Sequence, residues 1–368
     1  MNELALTNLT LSHFRSHLTT RIEVDARPVA IFGSNGAGKT NILEAVSMFS
    51  PGRGMRRMAA KDMARRPEAI GWKLTGLLSS QGRVHEVETY SEGEAARLVK
   101  IDGKPAAQTA LGRLARMVWL IPSMDRLWIE GAEGRRRFLD RTTLSFFPEH
   151  SDLSLEYEKA MRERNRLLKA EVRDAHWYAA LEAQMAKSGS AIYSNRLKAL
   201  DRLQEAQEAA ETGFPSAELV LMQSEGEMPE TEDDFAEALA ESRFRDMAAG
   251  RTLVGPHRTD MHGVYAAKGV PAKDCSTGEQ KALLISLILA NARALKEELG
   301  APPIVLLDEV AAHLDADRRA ALYDEICALG AQAWMTGTGP ELFAELGGRS
   351  QLLRVDEADG NSHVTALV

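Results

Sequence analysis

The chain runs to 368 residues, of which 44% are hydrophobic and 27% charged, enough for two lobes with a core each and ordinary for a globular protein. It has no apolar run of the roughly eighteen residues a bilayer span needs and no basic-then-apolar signal after Met1-Asn2-Glu3-Leu4. It has only Cys275 and Cys327, without metal or disulfide spacing, so a cytoplasmic protein with no membrane partner is expected. Net charge is −8, yet twelve acidic residues and no Lys or Arg fall between Leu203 and Ser242; the rest of the chain sums to about +4, and a local basic face stays open.

In chain order, Leu4-Ala5-Leu6 and Leu9-Thr10-Leu11 read as short strands. Pro28-Val29-Ala30-Ile31-Phe32 is a continuous apolar run bounded by Gly33, as a buried parallel strand requires. From Asn41 the pattern turns helical, with Ile42, Leu43, Ala45, Val46 and Phe49 on one face and Pro51-Gly52 as the stop. A basic cluster follows: Arg53, Arg56, Arg57, Lys61, Arg65 and Arg66. Alternation from Trp72 to Ile101 predicts antiparallel strands with a turn at Asp102-Gly103, and Met117 to Pro122 predicts another strand.

Arg135, Arg136 and Arg137 are contiguous at what reads as a helix start. With Arg56 and Arg57 they are the candidate DNA contacts, the alternative being plain solvated charge. From Ser151 to Gly213, apolar residues recur at three- and four-residue intervals, predicting two long helices of roughly 30–60 Å. Strand and loop return after Gly250. Leu283 to Ala290 is helical, and Ile304–Leu307 and Ala333–Met335 are strands. The reading is α/β and discontinuous: a head from residues 1–140 and 251–368 with a helical lobe, 141–250, inserted.

Gly33-Ser34-Asn35-Gly36-Ala37-Gly38-Lys39-Thr40 fits the phosphate loop G-x-x-x-x-G-K-[ST], between a predicted strand and a predicted helix. Backbone N–H groups there converge on phosphate oxygens at the helix N-terminus, Lys39 supplies charge to the β- and γ-phosphates, and Thr40 is placed to ligate Mg²⁺. Ile304-Val305-Leu306-Leu307-Asp308-Glu309 is an apolar strand ending in two carboxylates, a Walker-B pattern. Asp308 is expected to hold Mg²⁺, and Glu309 to act as the general base toward water. The expected ligands are therefore ATP and Mg²⁺; no Asn-Lys-x-Asp guanine-reading motif occurs.

Ser276-Thr277-Gly278-Glu279-Gln280-Lys281 alone reads as a helix cap, with Glu279 or Gln280 in a capping box. Its place before the Walker-B strand makes it resemble the ABC signature loop. The resemblance implies that Ser276 and Gly278 meet the γ-phosphate bound on another subunit, with Asp315 of His313-Leu314-Asp315 at the interface. The active form implied is an ATP-sandwiched homodimer.

Leu9-Thr10-Leu11-Ser12-His13-Phe14-Arg15-Ser16-His17 resembles the start of SMC-type heads, and a lobe of about a hundred residues is far shorter than an SMC arm. Gly134-Arg135-Arg136-Arg137-Phe138-Leu139-Asp140, Leu253-Val254-Gly255-Pro256-His257-Arg258-Thr259-Asp260 and Leu307 to Asp315 resemble the RecF family. That family implies an ATP-dependent recombination mediator that binds duplex DNA and single-strand/double-strand junctions, works with RecO and RecR to load RecA, serves replication restart and SOS induction, and hydrolyses ATP weakly to reset its dimer. The alternatives are another SMC/ABC head, a transporter motor or a non-hydrolysing scaffold. Two features depart from ABC motors: the region after the strand that follows Walker B, where a histidine is often found, reads Trp334-Met335-Thr336-Gly337-Thr338, leaving any γ-phosphate sensing to a threonine, and no glutamine marks the loop after Met117–Pro122. No catalytic role for His257 or Arg258 follows from the residues.

Overall fold

A computed structural model describes residues 4–367, so the signal reading at Met1-Asn2-Glu3 lies outside the described residues. The chain divides into two units, one of Met1–Asp125, Ala206–Pro215 and Lys281–Val368, the other of Arg126–Glu205 and Ser216–Gln280.

In the first unit, the two apolar patches at the start belong to a single strand, β1 (Ala5–Phe14). A bulge between Leu6 and Asn8 shifts the alternation by one, so Leu6 and then Leu9 and Leu11 all face inward. An antiparallel sheet runs β2 (His17–Glu23), β1, β4 (Gly71–Ser80), β5 (Arg83–Glu92), β6 (Leu98–Ile101), β7 (Lys104–Ala106). The β6–β7 hairpin turns at Asp102-Gly103 with positive φ at both residues (51° and 75°), as a type I′ turn needs.

A second sheet runs β15 (Asn361–Leu367), β14 (Gln351–Ala358), β3 (Val29–Phe32), β13 (Ala333–Gly337), β12 (Ile304–Leu307), β8 (Met117–Leu120). From β14 to β8 the neighbours are parallel. β3 and β12 are buried at every position, which explains runs that are apolar without alternation. Helix α1 (Lys39–Ser47) shares one core with both sheets: Ile42, Leu43 and Val46 cluster with Leu9 and Leu74 of one and Ile31 and Leu306 of the other. It is buried beyond the single apolar face expected, since Glu44 and Ser47 are buried too. The unit also holds α2 (Leu111–Leu114) and α9 (Ala316–Leu329). Helix α8 (Thr277–Leu299) spans more than the expected Leu283–Ala290.

The second unit contains α3 (Ala132–Phe146), α4 (His150–Lys169), α5 (His176–Glu208), α6 (Glu232–Glu241) and α7 (Arg243–Ala249). Tyr157, Met185, Phe235 and Leu239 form its helical core. It is not purely helical, because β9 (Ala217–Gln223), β10 (Thr259–Tyr265) and β11 (Val270–Pro271) form a three-stranded antiparallel sheet. Arg135 of α3 pairs with Asp260 of β10, and this strand-helix layer takes the unit past the 141–250 span read from helical periodicity. Part of the acidic run is explained by α6: Thr231 and Asp234 form a capping box, and Glu232, Asp233 and Asp234 sit at the helix's positive end. No described helix is long and apolar enough to cross a membrane.

Candidate nucleotide site

β3 delivers the chain at Gly33 to a loop that turns into α1. Gly38 has φ +104°, and a Cβ there would lie 2.2 Å from Ser362 Oγ, so the position admits only glycine. Ser34, Asn35 and Gly36 are exposed, while Ala37 and Gly38 are buried. Lys39 is 5% exposed; its Nζ donates to the carbonyl oxygens of Gly33 and Ser34, each at 2.8 Å. Burial lowers its pKa, and the nearby Glu309 and Asp308 carboxylates oppose that shift.

β13 lies between the phosphate-loop strand β3 and the Walker-B strand β12, so the carboxyl ends of all three meet at one place. Thr40 Oγ1 donates to Asp308 Oδ1 at 2.9 Å. Thr336, the next residue after the Leu307–Met335 pair in the β12–β13 register, donates its hydroxyl to the same Oδ1 at 2.8 Å. The Thr336 Oγ1 also accepts the Glu309 N–H at 2.9 Å. Thr40 and Asp308 offer two hard oxygen donors close together. That suits Mg²⁺, which keeps several waters and takes its remaining ligands from substrate phosphates.

The turn joining β1 and β2 supplies parts whose roles were not legible in sequence. Arg15 Nε and Nη2 grip the buried Glu44 of α1 at 2.8 and 2.6 Å, and Asn41 Nδ2 donates to Ser16 Oγ at 2.8 Å. His17 Nε2 lies 3.3 Å from the Gly38 carbonyl oxygen and Nδ1 lies 2.9 Å from Thr20 Oγ1. Burial lowers the His17 pKa to about 4. The ring is then neutral, with Nε2–H donating to Gly38 and Nδ1 accepting from Thr20. Arg15, Ser16, Asn41, Met58, Asp62 and Arg66 line a cavity of about 520 Å³ beside the start of α1.

Ser276 caps α8, its hydroxyl donating to Glu279 Oε2 at 2.7 Å and accepting the Glu279 N–H at 3.4 Å. Lys268 pairs with the other oxygen of Glu279, and together they hold that carboxyl at about 2. Ser276 and Gly278 are exposed, so capping leaves them accessible. Asp315 caps α9 by accepting from the Arg318 N–H at 2.8 Å. Where a glutamine would follow β8, the chain has Ser123, Met124 and Asp125, and Asp125 Oδ2 lies 3.4 Å from Lys281 Nζ.

The arginines separate sharply. Arg135 is 12% exposed, paired twice with Asp260 and bonded to the carbonyls of Leu127, Trp128 and Glu130. Arg136 donates to the Thr259 carbonyl. Arg137 is exposed and pairs with Glu133. Arg56 is exposed, near Asn41 and Glu44, and Arg57 is exposed with φ +57°. His257 Nε2 donates to the Thr252 carbonyl (3.0 Å) and Nδ1 accepts from Tyr157 Oη (2.8 Å), burial lowering its pKa to about 4. A Cβ at Gly255 would sit 2.3 Å from Tyr157 Oη. The Gly-Pro-His segment is thus built into the second unit's core.

This fold and this site define an SMC/ABC-type P-loop ATPase head. The family model described as the RecF/RecN/SMC N terminal domain matches residues 5–361. The chain is 46% identical to the DNA replication and repair protein RecF of Rhizobium etli over 98% of both chains, and 46% identical to that of Mesorhizobium japonicum over 95% and 96%. It belongs to the RecF family. Its fold is shared with the recombination mediator protein RecF solved as RecF-ATPrS (TM-score 0.84, 23% identity, 100% and 99% covered) and with an Smc head domain from Pyrococcus furiosus (TM-score 0.58, 16% identity, 99% and 96% covered).

Proposed function

We propose that this chain is an ATP-dependent, DNA-binding recombination mediator of DNA repair and replication restart. The observation that carries the reading is the convergence of Lys39, Thr40, Asp308 and Glu309 at the carboxyl ends of β3, β13 and β12. Residues 33–40 and Asp308 hold ATP, and Thr40 and Asp308 hold Mg²⁺, whose charge neutralises the β- and γ-phosphates. The ATPase head is the unit of residues 1–125, 206–215 and 281–368, and the inserted lobe the unit of residues 126–205 and 216–280, wider than the 141–250 read from helical periodicity.

ATP closes a homodimer in which Ser276, Gly278 and Asp315 complete the partner's site, and the closed dimer grips duplex DNA at gaps and junctions. Exposed Arg56, Arg57 and Arg137 supply phosphate contacts, while Arg135 and Arg136 hold α3 in place. With RecO and RecR, the cytoplasmic protein assists RecA loading and SOS induction. Glu309 activates water for the weak hydrolysis that reopens the dimer.

The test is the ATPase rate and sedimentation with and without duplex DNA at fixed salt. Slow, DNA-stimulated hydrolysis and an ATP-dependent dimer are expected. Binding without turnover would make the chain an ATP-dependent scaffold, and indifference to DNA would favour a motor for another partner.

A further inference from the structure

The segment where ABC motors often carry a phosphate-sensing histidine reads Trp334-Met335-Thr336-Gly337-Thr338, and one expectation is that the Thr336 hydroxyl reads the γ-phosphate in its place. The hydrogen bonds say otherwise. A threonine hydroxyl has one hydrogen to donate. In Thr336, which is 1% exposed, that hydrogen is committed to Asp308 Oδ1 at 2.8 Å, and a lone pair receives the Glu309 N–H at 2.9 Å. No donor is left for a phosphate unless Asp308 is released.

We infer that Thr336 is a positioning residue: one buried hydroxyl braces both Walker-B residues, holding the Asp308 carboxylate directly for the metal and Glu309 through its backbone N–H, which sets where its side chain starts. The inference deepens the proposed hydrolysis site and rests on that reading.

The topology explains the arrangement. Because β13 sits between β3 and β12, the first residue beyond the Leu307–Met335 pair on one side is Asp308 and on the other Thr336. The brace also meets a backbone need. Glu309 has φ +55°, a left-handed conformation that residues bearing a side chain rarely adopt. The Glu309 N–H lies beyond the last β12–β13 pair, so the Thr336 hydroxyl supplies the acceptor that the sheet ladder no longer provides there.

Thr40 and Thr336 bind the same oxygen of Asp308, at 2.9 and 2.8 Å. Their fates differ once metal arrives. Thr40 belongs to the phosphate loop and would turn its oxygen to Mg²⁺ when the metal is bound, giving up Asp308. Thr336, whose hydroxyl also holds the Glu309 N–H, would keep Asp308 in place meanwhile.

The test compares Thr336→Val, which keeps shape and loses the hydroxyl, with Thr336→Ser, which keeps the hydroxyl. Two readouts are taken on the full-length protein: binding of a fluorescent ATP analogue as Mg²⁺ is titrated, and kcat with KM for ATP at saturating Mg²⁺. For Thr336→Val, half-maximal Mg²⁺ should rise at least fivefold and kcat fall at least tenfold, with KM changed less than threefold. Analogue binding without Mg²⁺ should match the parent, which certifies an intact loop. Thr336→Ser should restore both readouts to within about threefold of the parent. A sensor would instead lose γ-phosphate affinity, so a rise in KM with unchanged Mg²⁺ dependence overturns the proposal. A serine variant as defective as valine also overturns it, since only packing would then matter. Glu309→Gln is run beside them: if it hydrolyses like the parent, the general-base reading fails, while the Mg²⁺ titration still decides whether Thr336 braces Asp308.

Discussion

His17 and His257 sit in different units, yet each is buried, donates Nε2–H to a backbone carbonyl and accepts a hydroxyl at Nδ1. Burial lowers each pKa from 6.5 to about 4. A folded-state pKa below the unfolded one means that the unfolded chain takes up the proton first. The stability gained by keeping these rings neutral is therefore complete above about pH 6.5 and is lost as pH falls from there toward 4. Denaturant midpoints at pH 7.5, 6.5, 5.5 and 5.0 should fall steadily, with an uptake of up to about two protons on unfolding. His257→Gln should remove close to one of them, whatever its effect at pH 7.5. A parent and variant with the same slope would show that His257 is not held neutral. In sequence, His17 was legible only as part of a family-like opening and His257 only as part of the Leu253–Asp260 segment that resembles the RecF family. Their partners lie 21 and 100 positions away for Gly38 and Tyr157, beyond what any local pattern carries.

Helix α3 shows why an arginine run is not a basic face. Successive residues in a helix point about 100° apart. Arg135 and Arg136 reach adjacent residues of β10, the Asp260 carboxylate and the Thr259 carbonyl, whereas Arg137 faces solvent beside Glu133, its neighbour one turn earlier. Arg137→Ala should leave stability within about 0.5 kcal/mol of the parent and flatten the log-affinity versus log-salt slope for DNA by somewhat under one unit. Arg135→Ala should instead cost about 1–3 kcal/mol by leaving the half-buried Asp260 with only the partly exposed His262, 3.4 Å away, beside it. A salt slope untouched by Arg137→Ala would return that residue to plain surface. Helices α4, α5 and α7 are joined through Arg164, fully buried, which reaches Glu182 at 3.1 Å, Asp246 at 2.6 Å and Thr252 at 2.9 Å. Arg164→Ala would strand Asp246 as a buried charge, and equilibrium denaturation should show a loss of about 3–5 kcal/mol. A loss under about 1 kcal/mol would mean that water reaches the site. The long helices were legible because their apolar period runs through many turns. β9 was not, because Val220 and Met222 are exposed on one face while Leu219 and Leu221 are half-buried on the other, and that pattern does not alternate in polarity.

At the scale of the whole molecule, the nucleotide site was half legible for a topological reason. Residues 33–40 and 304–309 are contiguous motifs, each carrying its own strand, so sequence alone exposes them. Thr336, Arg15 and His17 join them only because β13 inserts between β3 and β12 and the β1–β2 turn folds against α1. That convergence also separates binding from hydrolysis. Lys39, Thr40 and Asp308 stay in place when Glu309 is changed, and Glu309 is tied to Thr336 through its backbone N–H, which a side-chain substitution keeps. Glu309→Gln therefore retains shape and loses only the basic carboxylate. In the proposed cycle ATP still binds and closes the dimer, but the closed state is not discharged, so DNA bound with ATP should dissociate at least tenfold more slowly than from the parent. Asp308→Asn should not mimic this. It weakens the metal site and disturbs the oxygen that Thr40 and Thr336 share, so closure itself should fail and DNA should leave at least as fast as from the parent. The measurement is the DNA dissociation rate for the three proteins at one fixed ATP, Mg²⁺ and salt concentration, alongside single-turnover hydrolysis. Near-parental hydrolysis by Glu309→Gln would rule out Glu309 as the base, whereas lost hydrolysis with equally fast DNA release would break the link between ATP closure and DNA retention.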